Sequence, residues 1–305
     1  MQLQPARYRA ITVGALLALC VIVVSGAAVR LTGSGLGCDD WPNCNDEKLI
    51  DVSSSHAAIE QLNRLFTGIV AIAVIAAVLG SLVRAPRRRD LTLLSLGLVA
   101  GVVGQIVLGG ITVLVDLHPI AVQGHFLLSM VLVVNAVVLV YRAGEPDDAI
   151  RRSAGRRTTR RLVAALAAMT CAAIFTGTLV TGAGPHAGDE EARRFGFDIS
   201  AVARIHGVFV MLTIAVALVL AWRVRTDLGD RRALAGPLSS WLFVAVLQAG
   251  VGYTQYFNAV PPLLVAIHVA GATALLAVTV LLVLETRAST PRTVAEQVVP
   301  SESLV

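Results

Sequence analysis

Residues 263–284 read LLVAIHVAGATALLAVTVLLVL. The run holds one ionisable side chain, His268, and is long enough to cross a hydrocarbon core of about 30 Å, which takes about 20 helical residues. Seven more runs of this kind lie at roughly 10–29, 60–83, 91–115, 121–141, 162–182, 201–222 and 238–258. Composition agrees with them. The 305 residues are 56% hydrophobic and 15% charged, with mean hydropathy +0.75. Soluble domains carry about 25% charged residues. A soluble globular enzyme, a disordered chain and a coiled coil are excluded, and four cysteines are too few for a disulfide scaffold. The first run follows Arg7 and Arg9, as a signal peptide would. It continues past that length without a clean small-residue cleavage site before Arg30, so it reads as a retained span.

The net charge of +5 belongs to the loops. Arg7 and Arg9, Arg84 and Arg87 to Arg89, Arg142 to Arg161, Arg223 to Arg232, and Arg287 with Arg292 fall on one side of an eight-span layout. Arg30, Lys48, Arg64, Arg193, Arg194 and Arg204 fall on the other. The bias places both termini in the cytoplasm of a multi-pass cell-membrane protein. The arginine runs lack interleaved aromatics and split across loops, so nucleic acid is not an expected partner; the lipid bilayer is. The acids gather in the outer segments 31–56 and 183–200.

One offset superimposes the two halves. Gln105 and Gln248, Gly109 and Gly252, Pro119 and Pro262, and His125 and His268 are each 143 apart, as are Asn63 and His206. The expected fold is therefore all-α and integral to the membrane. Its eight transmembrane helices form two tandem four-helix bundles, related by a pseudo-two-fold axis along the membrane normal. Residues 1–142 form the N-terminal half, 143–160 a basic cytoplasmic linker, 161–286 the C-terminal half and 287–305 a mobile cytoplasmic tail.

Ionisable groups at membrane depth are costly, and they mark function. His206 and His268 sit at matched depth near the outer ends of spans six and eight. Two such helices can present imidazoles to opposite faces of one heme. The plainer alternative is a pair of core histidines bonded across helices; zinc would want four ligands, and no cysteine lies near. The first half keeps His125 but has Asn63 in place of its partner. An amide is a poor iron ligand, so a heme there would hang from one histidine and leave its other face open or weakly bound. Glu60 lies one turn before Asn63. It reads either as a carboxylate for chemistry at that open face or as the ion-pair partner of Arg64. His56, His118 and His186 read as outer-loop residues, with His118 at the entrance to the first site. Cys38 and Cys44 share an outer, oxidising loop, as a disulfide or a redox pair. Cys20 and Cys171 read as buried packing residues.

The stretch RLTGSGLGCDDWPNC, Arg30 to Cys44, resembles the first-loop signature of heme A synthases. Further blocks are similar to that family: Glu60-Gln-Leu-Asn-Arg64, Thr181 to His186, Arg204-Ile-His-Gly207, and Gln255 to His268. The likeness spans about residues 10–285. It implies oxidation of the C8 methyl group of heme O to a formyl group, giving heme A, so the chain would be an oxidoreductase. It implies heme b as cofactor on the iron ligands His206 and His268, and a catalytic first-half site where His125 binds the iron of heme O beside Glu60. Asn63 falls in the substrate-heme pocket, where better-known members carry histidine. The resemblance further implies a Cys38–Cys44 disulfide, a heme O synthase (protoheme farnesyltransferase) as donor, and cytochrome oxidase assembly as recipient of heme A. Two rival functions remain open. One is a diheme electron-transfer cytochrome, which would want two complete histidine pairs. The other is a non-catalytic heme-binding transporter.

Overall fold

The computed structural model describes residues 2–151, 156–287 and 289–291. Arg152, Arg292 and most of the expected tail lie outside the described residues. Among the described residues there are eight long helices: α1 Pro5–Leu31, α2 Ser55–Val83, α3 Arg89–Leu114, α4 Pro119–Ala143, α5 Arg157–Ala183, α6 Ile199–Arg225, α7 Leu228–Phe257 and α8 Pro262–Glu285. All eight are long and apolar enough to cross a membrane. Their outward sides stay apolar: Ile72, Val246 and Leu263 are 69%, 70% and 71% exposed. Lipid, not protein, is the solvent such faces require.

Local chemistry explains the helix starts. Proline opens α1, α4 and α8, where its missing N–H costs nothing. Ser54 caps α2 by accepting from the Ala57 N–H, and Asp198 caps α6 by accepting from the Ala201 N–H. Asp227 caps α7 through the Gly229 and Asp230 N–H groups. That last cap starts α7 about ten residues before the apolar run, so Arg231 and Arg232 lie in its first turns rather than in a loop. A polar turn of helix is invisible to hydropathy, and the cap alone places it. The stretches read as linker and tail meet in a three-residue antiparallel ladder, β1 Ala149–Arg151 with β2 Ser289–Pro291.

Each half closes as a ring. In the first, α1 packs on α2, α2 on α3, α3 on α4 and α4 back on α1. In the second, the order is α5, α6, α7, α8 and back to α5. The helices α2 and α4, and likewise α6 and α8, therefore face each other across a diagonal. The halves join through α4 and α1 against α8, and α4 against α5. Val23, Met130, Val133, Val137 and Leu276 fill that seam.

The apolar cores lie toward the arginine-rich end. In the first half Tyr8, Val70, Val74, Ala77, Leu98 and Leu139 pack together. In the second, Leu166, Leu220, Trp241 and Leu282 do so. The opposite end holds the polar groups. There the α3–α4 and α7–α8 turns are built alike. Asp116 and Leu117 adopt φ of 51° and 55°, and Ala259 and Val260, 143 residues on, adopt 57° and 58°. Left-handed backbone costs an L-residue about 1–2 kcal/mol. Both turns close on matching bonds, Leu117 N–H to Thr112 O and Val260 N–H to Gln255 O, each 2.8 Å. The His186 ring adds a 2.7 Å bond to the Val260 carbonyl.

Candidate functional site

His206 lies on α6 and His268 on α8, each about two turns in from the helix start and on diagonal helices. The His206 Nδ1 lies 3.0 Å from the Ala173 carbonyl, with the Thr176 hydroxyl at 3.3 Å. A carbonyl only accepts, so Nδ1 carries the proton and Nε2 keeps the lone pair that a metal binds. Gly177 on α5 leaves the room: a Cβ there would come within 3.2 Å of the imidazole Cε1. His268 meets Gly252 of α7 in the same way, at 3.4 Å. Its Nδ1 is buried without a protein partner.

The first half repeats this around His125. Gly109 of α3 faces its Cε1 at 3.2 Å for a built Cβ, and its Nδ1 is also buried and unpartnered. The duplicated glutamines have a common task. Gln105 Nε2 donates to the His125 carbonyl at 3.1 Å, and Gln248 Nε2 to the His268 carbonyl at 3.0 Å. Each ties the histidine's turn to the preceding helix.

The diagonal partner of His125 is Asn63, whose Oδ1 accepts from the Ser25 hydroxyl of α1 at 2.8 Å. The positions of Asn63 and His206 thus both reach the preceding helix. His206 keeps the ring-nitrogen lone pair that iron binds, whereas an amide oxygen is a poor iron ligand.

These donors fit iron porphyrin. Four equatorial bonds come from the porphyrin, so one or two axial imidazoles suffice. Among the described residues, no group of three or more His, Cys, Asp and Glu could hold a bare metal ion. A buried ring nitrogen without a partner costs about 1–3 kcal/mol, and His125 and His268 each carry one.

Glu60 is 5% exposed, and both its oxygens are engaged. Oε1 accepts from Arg64 Nη2 at 2.7 Å and Nε at 3.0 Å, and Oε2 accepts from the Cys38 backbone N–H at 2.9 Å. Arg64 continues outward to the carbonyls of Asn43 at 2.9 Å and Asp40 at 3.1 Å. The pair therefore holds the outer loop from within α2. That loop is closed by the Cys38–Cys44 disulfide, and both cysteines are buried, at 0% and 1% exposure. Cys20 is half-buried, whereas Cys171 is exposed on the lipid side of α5 instead of packed inside. Its place near the middle of α5 makes that side the membrane's.

The remaining histidines are structural in their contacts. His56 lies in the first turn of α2, not in a loop, and bonds Ser34 Oγ at 3.0 Å. His118 is the cap residue of α4. His186 lies between the halves: its carbonyl accepts from Arg30 Nε at 2.6 Å while its ring holds the α7–α8 turn. Arg30 also donates to Thr181 O at 2.8 Å, and Gln123 to Thr178 Oγ1 at 2.7 Å. Sequence reasoning passed over Gln123, Gly177 and the contacts of Arg30, and marked Gly109 and Gly252 only as a matched pair. The one available signal was glycine recurring inside apolar helices where alanine would serve as well.

Known proteins share this chain's pattern over most of its length. The COX15-CtaA profile, described as cytochrome oxidase assembly protein, matches residues 9–280. A Heme A synthase of Listeria welshimeri is 28% identical over 258 residues, covering 80% of this chain and 84% of that protein. One of Listeria monocytogenes (serotype 4b, strain F2365) is 31% identical over 171 residues, covering 54% and 55%. One of Lysinibacillus sphaericus is 26% identical over 172 residues, covering 55% and 56%. With eight membrane-crossing helices and a profile match from residue 9 to residue 280, the chain is a multi-pass membrane protein that belongs to the COX15-CtaA family of cytochrome oxidase assembly proteins.

Proposed function

We propose that this protein is a heme A synthase, an oxidoreductase that converts the C8 methyl group of heme O to a formyl group by successive oxidation. The halves divide the work. His206 and His268 would hold heme b in the C-terminal half, residues 161–286, and that group supplies one-electron transfer when bound. The N-terminal half, residues 1–142, takes heme O as substrate, with His125 as the protein ligand to its iron. Asn63, committed to Ser25, leaves the other side of that site without an imidazole. Glu60 serves as a positioning group: with Arg64 it holds the disulfide loop over the site. The two halves are related by a pseudo-two-fold axis along the membrane normal.

The observation that carries this reading is the inequality of two otherwise matching sites. A diheme cytochrome would have use for two complete histidine pairs. This chain keeps one pair, and it surrounds the other site with a buried carboxylate, an arginine and a disulfide loop. The relatives named Heme A synthase agree with it. Heme O would come from a heme O synthase, and heme A would pass to cytochrome oxidase. The arginine-rich side, with both termini, faces the cytoplasm and the loop side faces out of the cell membrane.

Pigment extraction tests the proposal. The full chain, expressed in a host that makes heme O but not heme A, is expected to yield heme A in the extract. Heme O and heme b alone would reject the synthase and favour an electron carrier or a transporter.

A further inference from the structure

Trp41 lies inside the disulfide loop, between Cys38 and Cys44, and its indole reaches down to α3. A Cβ built on Gly110 would stand 2.6 Å from Trp41 Cδ2, 2.8 Å from Cε2 and 3.0 Å from Cε3. Real carbon atoms do not approach so closely, so the ring fusion rests on bare backbone that only glycine provides at this position. Gly110 is buried, on the core-facing side of α3 that also carries Leu98, Val102 and Val113. The next residue back, Gly109, is where the His125 imidazole rests. Consecutive residues of one helix thus seat the imidazole and the indole, with α-carbons about 3.8 Å apart.

The loop leaves Trp41 little freedom. Cys38 is bonded to Glu60, the carbonyls of Asp40 and Asn43 are bonded to Arg64, and the Trp41 N–H donates to Asp40 Oδ1 at 2.7 Å. Within seven residues there are three bonds to α2 and one covalent closure. Trp41 itself is only half-buried. An aromatic face this firmly held, and not consumed by packing, is a preorganised binding surface.

The second half has no such contact on α7. The position matching Gly110 is Tyr253, 63% exposed. Its outer loop instead lays Phe195 on Gly182 of α5, where a Cβ would meet the ring at 2.5 Å.

We propose that Trp41 is a wall of the first-half site, a positioning and specificity residue that meets the porphyrin held at His125 and sets its seat. The inference rests on the assignment of heme O to that half. Aromatic contact with a flat conjugated ring, together with exclusion of water, places the expected effect at about tenfold in affinity.

The test is a titration of the purified full chain with heme O, followed by its Soret difference spectrum. Trp41→Ala should raise the Kd about tenfold and raise KM more than it lowers kcat, and Trp41→Phe should recover most of the loss. Two controls separate a wall from a prop. The low-spin spectrum assigned to His206 and His268 should be unchanged, and Cys38 and Cys44 should stay unreactive toward a thiol reagent. Gly110→Ala, which displaces the indole without deleting it, should give a partial loss. An unchanged Kd in Trp41→Ala overturns the proposal. If Trp41→Ala disturbs either control, Gly110→Ala decides: wild-type affinity there overturns it. His125→Ala separates the two levels. Loss of heme O binding in His125→Ala with none in Trp41→Ala rejects Trp41 alone. Undiminished binding in both rejects the assignment of heme O to this half.

Discussion

In the second half, a histidine on α6 faces a histidine on α8 across the ring, and the His206 Nδ1 is spoken for by a backbone carbonyl. In the first half, the same diagonal runs from Asn63 to His125, and the amide is turned to Ser25. Around these positions the scaffolds match closely. A glycine faces each of His125 and His268, a glutamine holds each carbonyl, and both turns use left-handed residues. The halves diverge at the α2 position, above it, and at Gly110 of α3 against Tyr253 of α7. One loop is pinned to α2 through Glu60 and Arg64, whereas the other closes on α5 through Phe195. On the proposed function, the two halves share the parts that would seat a porphyrin and differ in the parts that would decide what happens to it.

The largest effect that can break this comparison is on the histidines. His206→Ala or His268→Ala is expected to abolish the low-spin heme spectrum, because each would remove one of the two proposed axial ligands. His125→Ala should leave that spectrum in place and stop heme A formation. If His125→Ala erased the low-spin signal instead, the two halves would have exchanged roles.

Next in size is the loop anchor. Glu60→Ala leaves Arg64 without its carboxylate in a mostly buried setting, a change worth on the order of 3 kcal/mol. The variant should still bind heme b yet lose heme A formation, and the Cys38–Cys44 bond should become reducible under milder conditions. Normal heme A yield would show that the anchor does not serve the site. Untreated protein with free thiols at Cys38 and Cys44 would break the loop account altogether.

A smaller change sharpens the contrast from the other side. Asn63→His places an imidazole opposite His125, as His206 stands opposite His268. On loading with heme O, the first half should then show a low-spin spectrum of its own. An unaltered spectrum would mean that position 63 does not face the iron.

Much of this is legible in the sequence. The eight spans follow from apolar runs, because a bilayer imposes length and composition on whatever crosses it. Gln105 and Gln248 stood out through the shared offset, and their carbonyl bonds now give the reason. What stayed hidden depends on contacts between distant helices. Nothing around Arg30 foretells that it reaches Thr181 and His186, and nothing around Trp41 foretells Gly110. Glu60 had two readings, ion pair or site carboxylate. The geometry shows the first: the carboxylate is paired with Arg64, and its other oxygen accepts from the Cys38 N–H of the outer loop. The polar start of α7 escaped because Asp227 decides it, not hydropathy.

The smallest expected effect lies at the two caps that start α2 and α6. Ser54 is neutral; replacing it with alanine should cost α2 about 1 kcal/mol at any pH. Asp198 is a carboxylate, and bonds from Ser200 and from the Ala201 N–H hold its pKa below the usual carboxylate range. A depressed pKa means that the cap's contribution is full above the unfolded carboxylate value, about 3.9, and is lost as pH falls through the lower folded value. Hydrogen exchange in the first turn of α6 should therefore speed up on acidification beyond its intrinsic change, while the first turn of α2 should not. Asp198→Asn keeps an accepting oxygen without the titration and should remove the pH dependence. Equal acid sensitivity at both helix starts would show that the Asp198 cap is not its origin.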